Sequence, residues 1–262
     1  MTEYHIHSLY SGSGGNSLLI SAGGANILID AGKSARTLCQ TLRAAGSDIE
    51  KIDAIFITHE HTDHIGALEV LLKKHKIPVH MTEISAAYIS PPTAAALKVQ
   101  LILHKPVYEV SVGGLRVTSF TASHDSACCV GYRVEFEDSD GKRCSLGCAT
   151  DTGYVTPQIK EGLTGCEAVV LECNHDIEML RWGNYPQRLK SRILSRHGHL
   201  SNDDCAEFAA YLAGQGTKNF MLAHLSRDNN RPEIAYAAVR AAVPDESIKI
   251  VAADPDEPVL FI

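Results

Sequence analysis

Short β-rich apolar runs alternate with stretches of helical period over the whole chain. Residues 17–22 and 26–30 are two such runs divided by Gly23-Gly24, and a hairpin is their simplest reading. Ser34 stands at a cap position; behind it Ala35, Leu38 and Leu42 recur at helical spacing, and Gly46 supplies a stop. Residues 54–58 predict a buried strand, 65–75 a helix, 78–81 a strand, and 93–100 a helix behind Pro91-Pro92. Four β-rich segments follow, at 115–121, 130–137, 143–150 and 168–171. Alternation then returns, with helices at 201–212 and 232–243 and strands at 219–223 and 249–252. Both halves mix α and β, and both contain strands that run into histidine-bearing segments. Without a long linker, a low-complexity tract or a convincing repeat, the pattern predicts a single domain over residues 1–262. Its class is α/β (α+β): four layers, two sheets face to face with helices outside.

The 262 residues are 45% apolar and 21% charged, the balance of a soluble globular protein. No apolar run reaches the roughly eighteen residues of a membrane span, and the start Met-Thr-Glu-Tyr-His-Ile-His lacks the basic flank and apolar core of an export signal. A cytoplasmic protein without a membrane partner is expected. With 24 basic and 31 acidic residues the net charge is −7, which excludes coating of nucleic acid by bulk charge and leaves room only for a local basic groove. The eight cysteines read as reduced thiols rather than a disulfide framework. The unusual count is the 13 histidines.

The sharpest chemistry lies in Thr58-His59-Glu60-His61-Thr62-Asp63-His64, directly after the buried strand at 54–58. His59, His61, Asp63 and His64 place four potential metal ligands within six residues. On a helix, positions i and i+2 point about 200° apart, so His59 and His61 converge only on extended or turning backbone. A strand end provides that geometry, with His64 near the start of the next helix.

With this motif the chain resembles the metallo-β-lactamase superfamily, whose fold is an αβ/βα sandwich of two mixed sheets with a metal site at one edge. The resemblance spans nearly the whole chain and implies the remaining ligands. His124 in Thr121-Ala122-Ser123-His124-Asp125-Ser126 matches the next histidine. Asp151 in Ala149-Thr150-Asp151-Thr152-Gly153 matches the bridging carboxylate, and His224 in Leu222-Ala223-His224-Leu225-Ser226 the last histidine. One ion would sit on His59, His61 and His124, the other on Asp63, His64 and His224, with Asp151 between them. Asp63 would also orient the attacking hydroxide, and Asp30 would brace the histidine loop. The implied cofactors are two divalent metal ions, Zn²⁺ or Mn²⁺, with Fe²⁺ tolerated. An aspartate at the bridge, where β-lactamases of this kind carry a cysteine, points away from antibiotic hydrolysis. A histidine at position 61, where the di-iron flavoproteins carry glutamate, points away from redox chemistry.

Four further segments narrow the branch: Ser11-Gly12-Ser13-Gly14-Gly15-Asn16-Ser17, Glu172-Cys173-Asn174-His175-Asp176, Gly198-His199-Leu200-Ser201-Asn202 and His224-Leu225-Ser226-Arg227-Asp228-Asn229-Asn230. Together they resemble the YycJ/WalJ-type group, associated with digestion of DNA from 5′ ends. The pairing of His199 with His224 is also similar to ribonuclease Z, although the flexible arm of that enzyme has no obvious counterpart. Only 72 residues separate Asp151 from His224, too few for the capping domain of the messenger-RNA-processing branch. The resemblance implies a dinuclear phosphodiesterase, foremost a 5′ to 3′ DNA exonuclease. In it His199 would donate a proton to the leaving alkoxide, with His197 and His175 the alternatives, and Glu172 or His175 would orient His199. Asn16 and the backbone of its glycine-rich segment would lie against a substrate phosphate, or the segment is only a tight turn. Arg181, Arg188, Lys190, Arg192 and Arg196 have no acidic residue among them from 179 to 202, and Trp182 and Tyr185 lie in the same stretch. It reads either as a solvated helix face or as a nucleic-acid track, with Arg188 and Arg192 on phosphates and an aromatic ring on a terminal base. The rival functions are hydrolysis of RNA, hydrolysis of a thioester or lactone on the same metals, and a metal-stabilised regulatory role with little turnover.

Overall fold

The computed structural model describes residues 4–262; residues 1–3, part of the Met-Thr-Glu-Tyr-His-Ile-His start, lie outside the described residues. In the first sheet β1 (His5–Tyr10), β2 (Ser17–Ala22) and β3 (Ala25–Ile29) are antiparallel, and β4 (Ala54–Phe56), β5 (Val79–Thr82) and β6 (Leu101–His104) add in parallel. Between them run α1 (Ala35–Ala44), α2 (Thr62–Ile65), α3 (Leu68–Leu71), α4 (Glu83–Ala86) and α5 (Pro91–Leu97). The second sheet repeats the plan. β7 (Glu109–Val112), β8 (Leu115–Thr121), β9 (Val130–Glu137) and β10 (Arg143–Ala149) are antiparallel, and β11 (Ala168–Glu172), β12 (Asn219–Ala223) and β13 (Lys249–Ala252) are parallel. Its connections carry α6 (Pro157–Leu163), α7 (Ile177–Trp182), α8 (Gln187–Ile193), α9 (Asn202–Gly214) and α10 (Pro232–Ala242). The last strand, β14 (Val259–Leu260), returns to pair with β1 at the edge of the first sheet.

Strand periodicity builds three apolar layers. Ile27 and Ile29 of β3 and Val170 of β11 point between the sheets, where they meet Phe56, Val117, Tyr132 and Val134. Their neighbours point outward: Leu28 packs with Leu38 and Leu42 of α1, and Val169 and Leu171 pack with Leu163, Phe208 and Val239 of the other helical layer. The inner parallel strands β4 and β11 are therefore buried on both faces, which is why they read as unbroken apolar runs. Tyr132 ties the layers together near the site by donating its hydroxyl to the Ile57 carbonyl at 2.6 Å. The four-layer αβ/βα sandwich is the fold expected from the sequence.

Two helices differ from expectation. The segment read as one helix over 65–75 is two short ones, α2 and α3, because backbone bonds from Ala31 N–H to His64 O (2.7 Å) and from Ala67 N–H to Ala31 O (2.9 Å) pin it to the turn after β3. A Cβ on Gly66 would lie 2.6 Å from the Lys33 carbonyl, so the close approach depends on glycine there. The helix placed behind Pro91-Pro92 instead begins at them, with Ser90 as its cap and both prolines in the first turn, where no N–H partner is needed.

Candidate metal centre and its cavity

All the candidate ligands follow strand ends. His59, His61, Asp63 and His64 come after β4, His124 after β8, Asp151 after β10 and His224 after β12. Asp30, just past β3, Asp151 and His224 have left-handed backbones, with φ of 63°, 58° and 57°. Aspartate and histidine tolerate this conformation better than most residues, and it ends the strand within one residue. It is held by what each side chain meets. Asp30 accepts Thr58 N–H at 2.8 Å and the Thr58 hydroxyl at 2.9 Å, and its Oδ2 lies 2.7 Å from His64 Nδ1.

Four groups of side chains have ligand atoms within 4.8 Å of one another: His59 with His61 and His124; Asp63 with His64 and His224; His59 with His64 and Asp151; Asp151 with Glu172, His199 and His224. Asp151 is the link between them. Its Oδ2 is 3.3 Å from His64 Nε2, and its Oδ1 is 3.5 Å from His224 Nε2 and 3.8 Å from His124 Nε2. The far ring nitrogens are anchored. Nδ1 meets Thr58 Oγ1 in His59 (3.0 Å), Asp30 in His64 (2.7 Å), the Gly198 carbonyl in His124 (3.1 Å) and Glu172 in His224 (3.0 Å). Such partners fix ring orientation and leave Nε2 for the centre.

Burial works against charge on His59, His64, Asp151 and His224, and the neighbouring charges decide the outcome. Burial holds the His59 imidazole well below its ordinary pKa, helped by the positive His64 beside it. For His64 burial is outweighed by Asp30 and Asp151, which push it well up. For His224 burial is outweighed by Asp151, Asp63 and Glu172, which raise it to about 10. Asp151 is pulled well down against burial by His224 and His64. Asp151 Oδ2 and His224 Nε2 are nevertheless buried without a hydrogen bond, despite neighbours at 3.3–3.9 Å. Buried polar atoms are almost always satisfied, so two orphans facing one ring of imidazoles and carboxylates fit divalent metal ions.

The ring opens into a cavity of about 310 Å³ lined by His61, Asp63, His124, Asp151, His224 and His199 on the ligand side. Glu172, fully buried at the end of β11, lies under it. One oxygen lies 2.7 Å from His199 Nδ1 and 3.0 Å from His224 Nδ1; the other accepts the N–H groups of Thr152 (2.8 Å) and Leu200 (3.2 Å). Burial opposes its charge, yet His199 and His224 lower its pKa to about 2. His197 points elsewhere, to Ser123 at 3.2 Å, and His175 is buried beside Asn174.

The expected substrate contacts are placed differently. Asn16 is buried and off the cavity wall, its amide nitrogen 3.2 Å from the Gly12 carbonyl and His64 Nε2, so it braces the ligands from behind. The wall contact of that loop is Ser13. Arg192 reaches the cavity, but its guanidinium is bound to Asp125, whose other oxygen lies 3.2 Å from His124 Nε2. Arg188 is exposed outside the cavity. Arg196 stacks on Tyr154 at 4.1 Å, and Arg181 pairs with Glu178, which thins the basic run. Leu189 and Ile193 also line the cavity, although in the sequence they look like ordinary apolar helix positions.

A family model described as a β-lactamase superfamily domain matches residues 25–225. The chain belongs to this superfamily. The exodeoxyribonuclease YycJ of Bacillus anthracis is 36% identical over 246 residues, 94% of this chain and 91% of that protein. The exodeoxyribonuclease WalJ of Streptococcus pneumoniae serotype 2 is 36% identical over 232 residues, 87% of this chain and 84% of that one. Among solved structures, the metallo-β-lactamase fold protein YhfI from Bacillus subtilis superposes with a TM-score of 0.71 at 16% identity, covering 98% of this chain and all of that one. As a superfamily member with an intact ring of imidazoles and carboxylates, the chain is a metal-dependent hydrolase.

Proposed function

We propose that this chain is a 5′ to 3′ DNA exonuclease working as one domain, with one metal ion on His59, His61 and His124, another on Asp63, His64 and His224, and Asp151 bridging. Zn²⁺ or Mn²⁺ suits this donor set. The observation that carries the reading is that the ligand ring and the Glu172–His199 pair share one cavity, in a chain similar to exodeoxyribonucleases along most of its length. The eight cysteines, all free, suit a reducing cytoplasm.

Divalent ions bound there supply Lewis acidity, lowering the pKa of water and drawing charge from the phosphate. The protein supplies position and protons. Asp63, kept ionised against burial by His224 and His64, lines the cavity and accepts a hydrogen bond from the attacking water. His199 gives Nδ1 to Glu172 and so turns Nε2 to the cavity, where it protonates the departing alkoxide. The buried carboxylate of Glu172 holds the ring in that orientation. Arg188 on the exposed face of α8 contacts backbone phosphates of the incoming DNA, and Arg192 joins it when substrate charge competes with Asp125.

End-labelled single-stranded and duplex DNA and RNA, given to metal-depleted protein with Zn²⁺ or Mn²⁺ restored, test the reading. Shortening of DNA from the 5′ end is expected; hydrolysis of thioesters or lactones with no action on nucleic acid would overturn it. Replacing Arg188 and Arg192 together by alanine is expected to weaken duplex binding and flatten its salt dependence, with hydrolysis of a small phosphodiester nearly intact. Equal losses on both substrates would mean that the arginines hold the fold.

A further inference from the structure

Beyond the ligands and His199, the cavity wall divides by chemistry. Tyr185, Leu189 and Ile193 make an apolar, aromatic side; Ser13, Ser226, Asn174 and Arg192, the last bound to Asp125, make the polar one. Leu189 and Ile193 lie one turn apart on α8, so they present one face, and Tyr185 enters just ahead of Pro186, the cap of that helix. This side is anchored at both ends. The Tyr185 hydroxyl donates to Asp228 at 2.8 Å, and the Ile193 carbonyl accepts His199 N–H at 3.0 Å. The distance from the apolar wall to the proposed proton donor is thus set by backbone.

From this wall, and resting on the nuclease reading above, we infer that the cavity seats one unpaired terminal nucleotide, its base stacked on Tyr185 against Leu189 and Ile193. The cavity, about 310 Å³, has room for one nucleotide beside the ligand ring. The seat is indifferent to base identity. The amide on the wall, Asn174, is engaged on both atoms, Nδ2 with the His224 carbonyl (2.8 Å) and Oδ1 with His175 Nδ1 (3.3 Å), so it is not available to read a base edge. Ser226 Oγ accepts Asn229 N–H at 3.2 Å and is itself hydrogen-bonded to Tyr185, which leaves Ser13 as the hydroxyl for sugar or phosphate. A stacking surface with one uncommitted hydroxyl beside it holds any base, as a sequence-neutral exonuclease requires. The end of a duplex must fray before it enters, and each cut releases one nucleotide.

The test compares oligodeoxynucleotides with and without a base on the last nucleotide. Mn²⁺-loaded protein is titrated with single strands carrying a dye at the far end and cleavage-resistant phosphorothioate linkages at the near end, with both polarities prepared. At the end the enzyme recognises, an abasic terminal nucleotide is expected to weaken binding about 5- to 150-fold, the range of one base–aromatic stack. Tyr185→Ala should lose most of that difference, and Tyr185→Phe, which keeps the ring, should retain it. A digest stopped early should hold mononucleotides rather than short oligomers. Abasic and ordinary ends binding within twofold of each other at both polarities would overturn the seat, and this comparison on the unmodified protein needs no variant to fold. An unchanged abasic penalty in Tyr185→Ala would overturn it as well. A protein that binds no oligonucleotide fails the nuclease reading and the seat together; one that digests DNA yet ignores the terminal base fails the seat alone.

Discussion

At the scale of single residues, the site separates side chains that face the centre from those that aim them. Glu172 serves two imidazoles and two backbone N–H groups with two oxygens and has no lone-pair direction left over for substrate. His199, 19% exposed at its side chain, is the partner that reaches the cavity. A sugar alkoxide is a poor leaving group and needs a proton, whereas p-nitrophenolate does not. His199→Ala is therefore expected to retain its metal, to lose about 10²- to 10⁴-fold in rate on DNA and to keep a much larger share of activity on a p-nitrophenyl phosphodiester. Elemental analysis and the two rate assays check this. Lost metal in the variant would make His199 a ligand instead, alongside Asp151, Glu172 and His224, with which it also clusters. Equal losses on both esters, with metal intact, would make it a phosphate-positioning group.

At the scale of elements, the edge of each sheet is joined to the other through a ladder of rings. Phe56 of β4 stacks on His80 of β5 (4.6 Å), His80 on His104 of β6 (5.2 Å), and His104 on Tyr108 beside β7 (4.0 Å). The His80 Nδ1 to His104 Nε2 contact at 3.0 Å accommodates at most one proton between the facing nitrogens. Burial, with His104 adding to it, lowers the His80 pKa from 6.5 to about 4. The fold favours the neutral ring, so this contribution is complete above pH 6.5 and is lost as pH falls from there towards 4. With one side of the ladder open to water, the loss should be about 1–2 kcal/mol. Urea titrations of metal-free protein at pH 7.5 and 5 should show a smaller drop in His80→Phe than in the parent; parallel drops would remove His80 as the source. The same edge explains what the sequence leaves unread. β6 and β7 are outer strands with half-exposed side chains, so they lack the unbroken apolar run that identifies β4 or β11. The helices α7 and α8 have six and seven residues, too few for a periodic signal, yet α8 carries the cavity wall. Contiguous ligands such as His59, His61, Asp63 and His64 are legible because their spacing alone restricts the backbone. The role of Asp125 in holding Arg192 is not, since it joins residues 67 positions apart.

At the scale of the whole molecule, the candidate metal centre is drawn from both sheets. His59, His61, Asp63 and His64 belong to the loop leaving the first, and His124, Asp151 and His224 leave the second. The apolar layer between the sheets holds the halves together, but at this edge the meeting groups are buried imidazoles and carboxylates rather than hydrocarbon. Metal ions at the ring should therefore clamp the two halves, and because the unfolded chain lacks the ring, their binding energy becomes folding stability. An ion present at 100 times its dissociation constant adds about 2.7 kcal/mol. In a chain of this size each kcal/mol moves the melting temperature by about 2–4 °C, so each ion is worth roughly 5–10 °C. Calorimetry of the parent should show a fall of about 10–20 °C on chelation of both ions, restored by adding Zn²⁺ or Mn²⁺. Asp151 touches imidazoles of both groups; His59 belongs to the proposed first set, with His61 and His124, and lies beside His64 of the second. Asp151→Ala should lose the metal-dependent increment almost entirely and purify with little bound metal. His59→Ala should keep about half of the increment and close to one ion per chain. If Asp151→Ala still gains the full increment and holds two ions, the carboxylate is not the bridge, and the halves are clamped by the histidines and Asp63 alone.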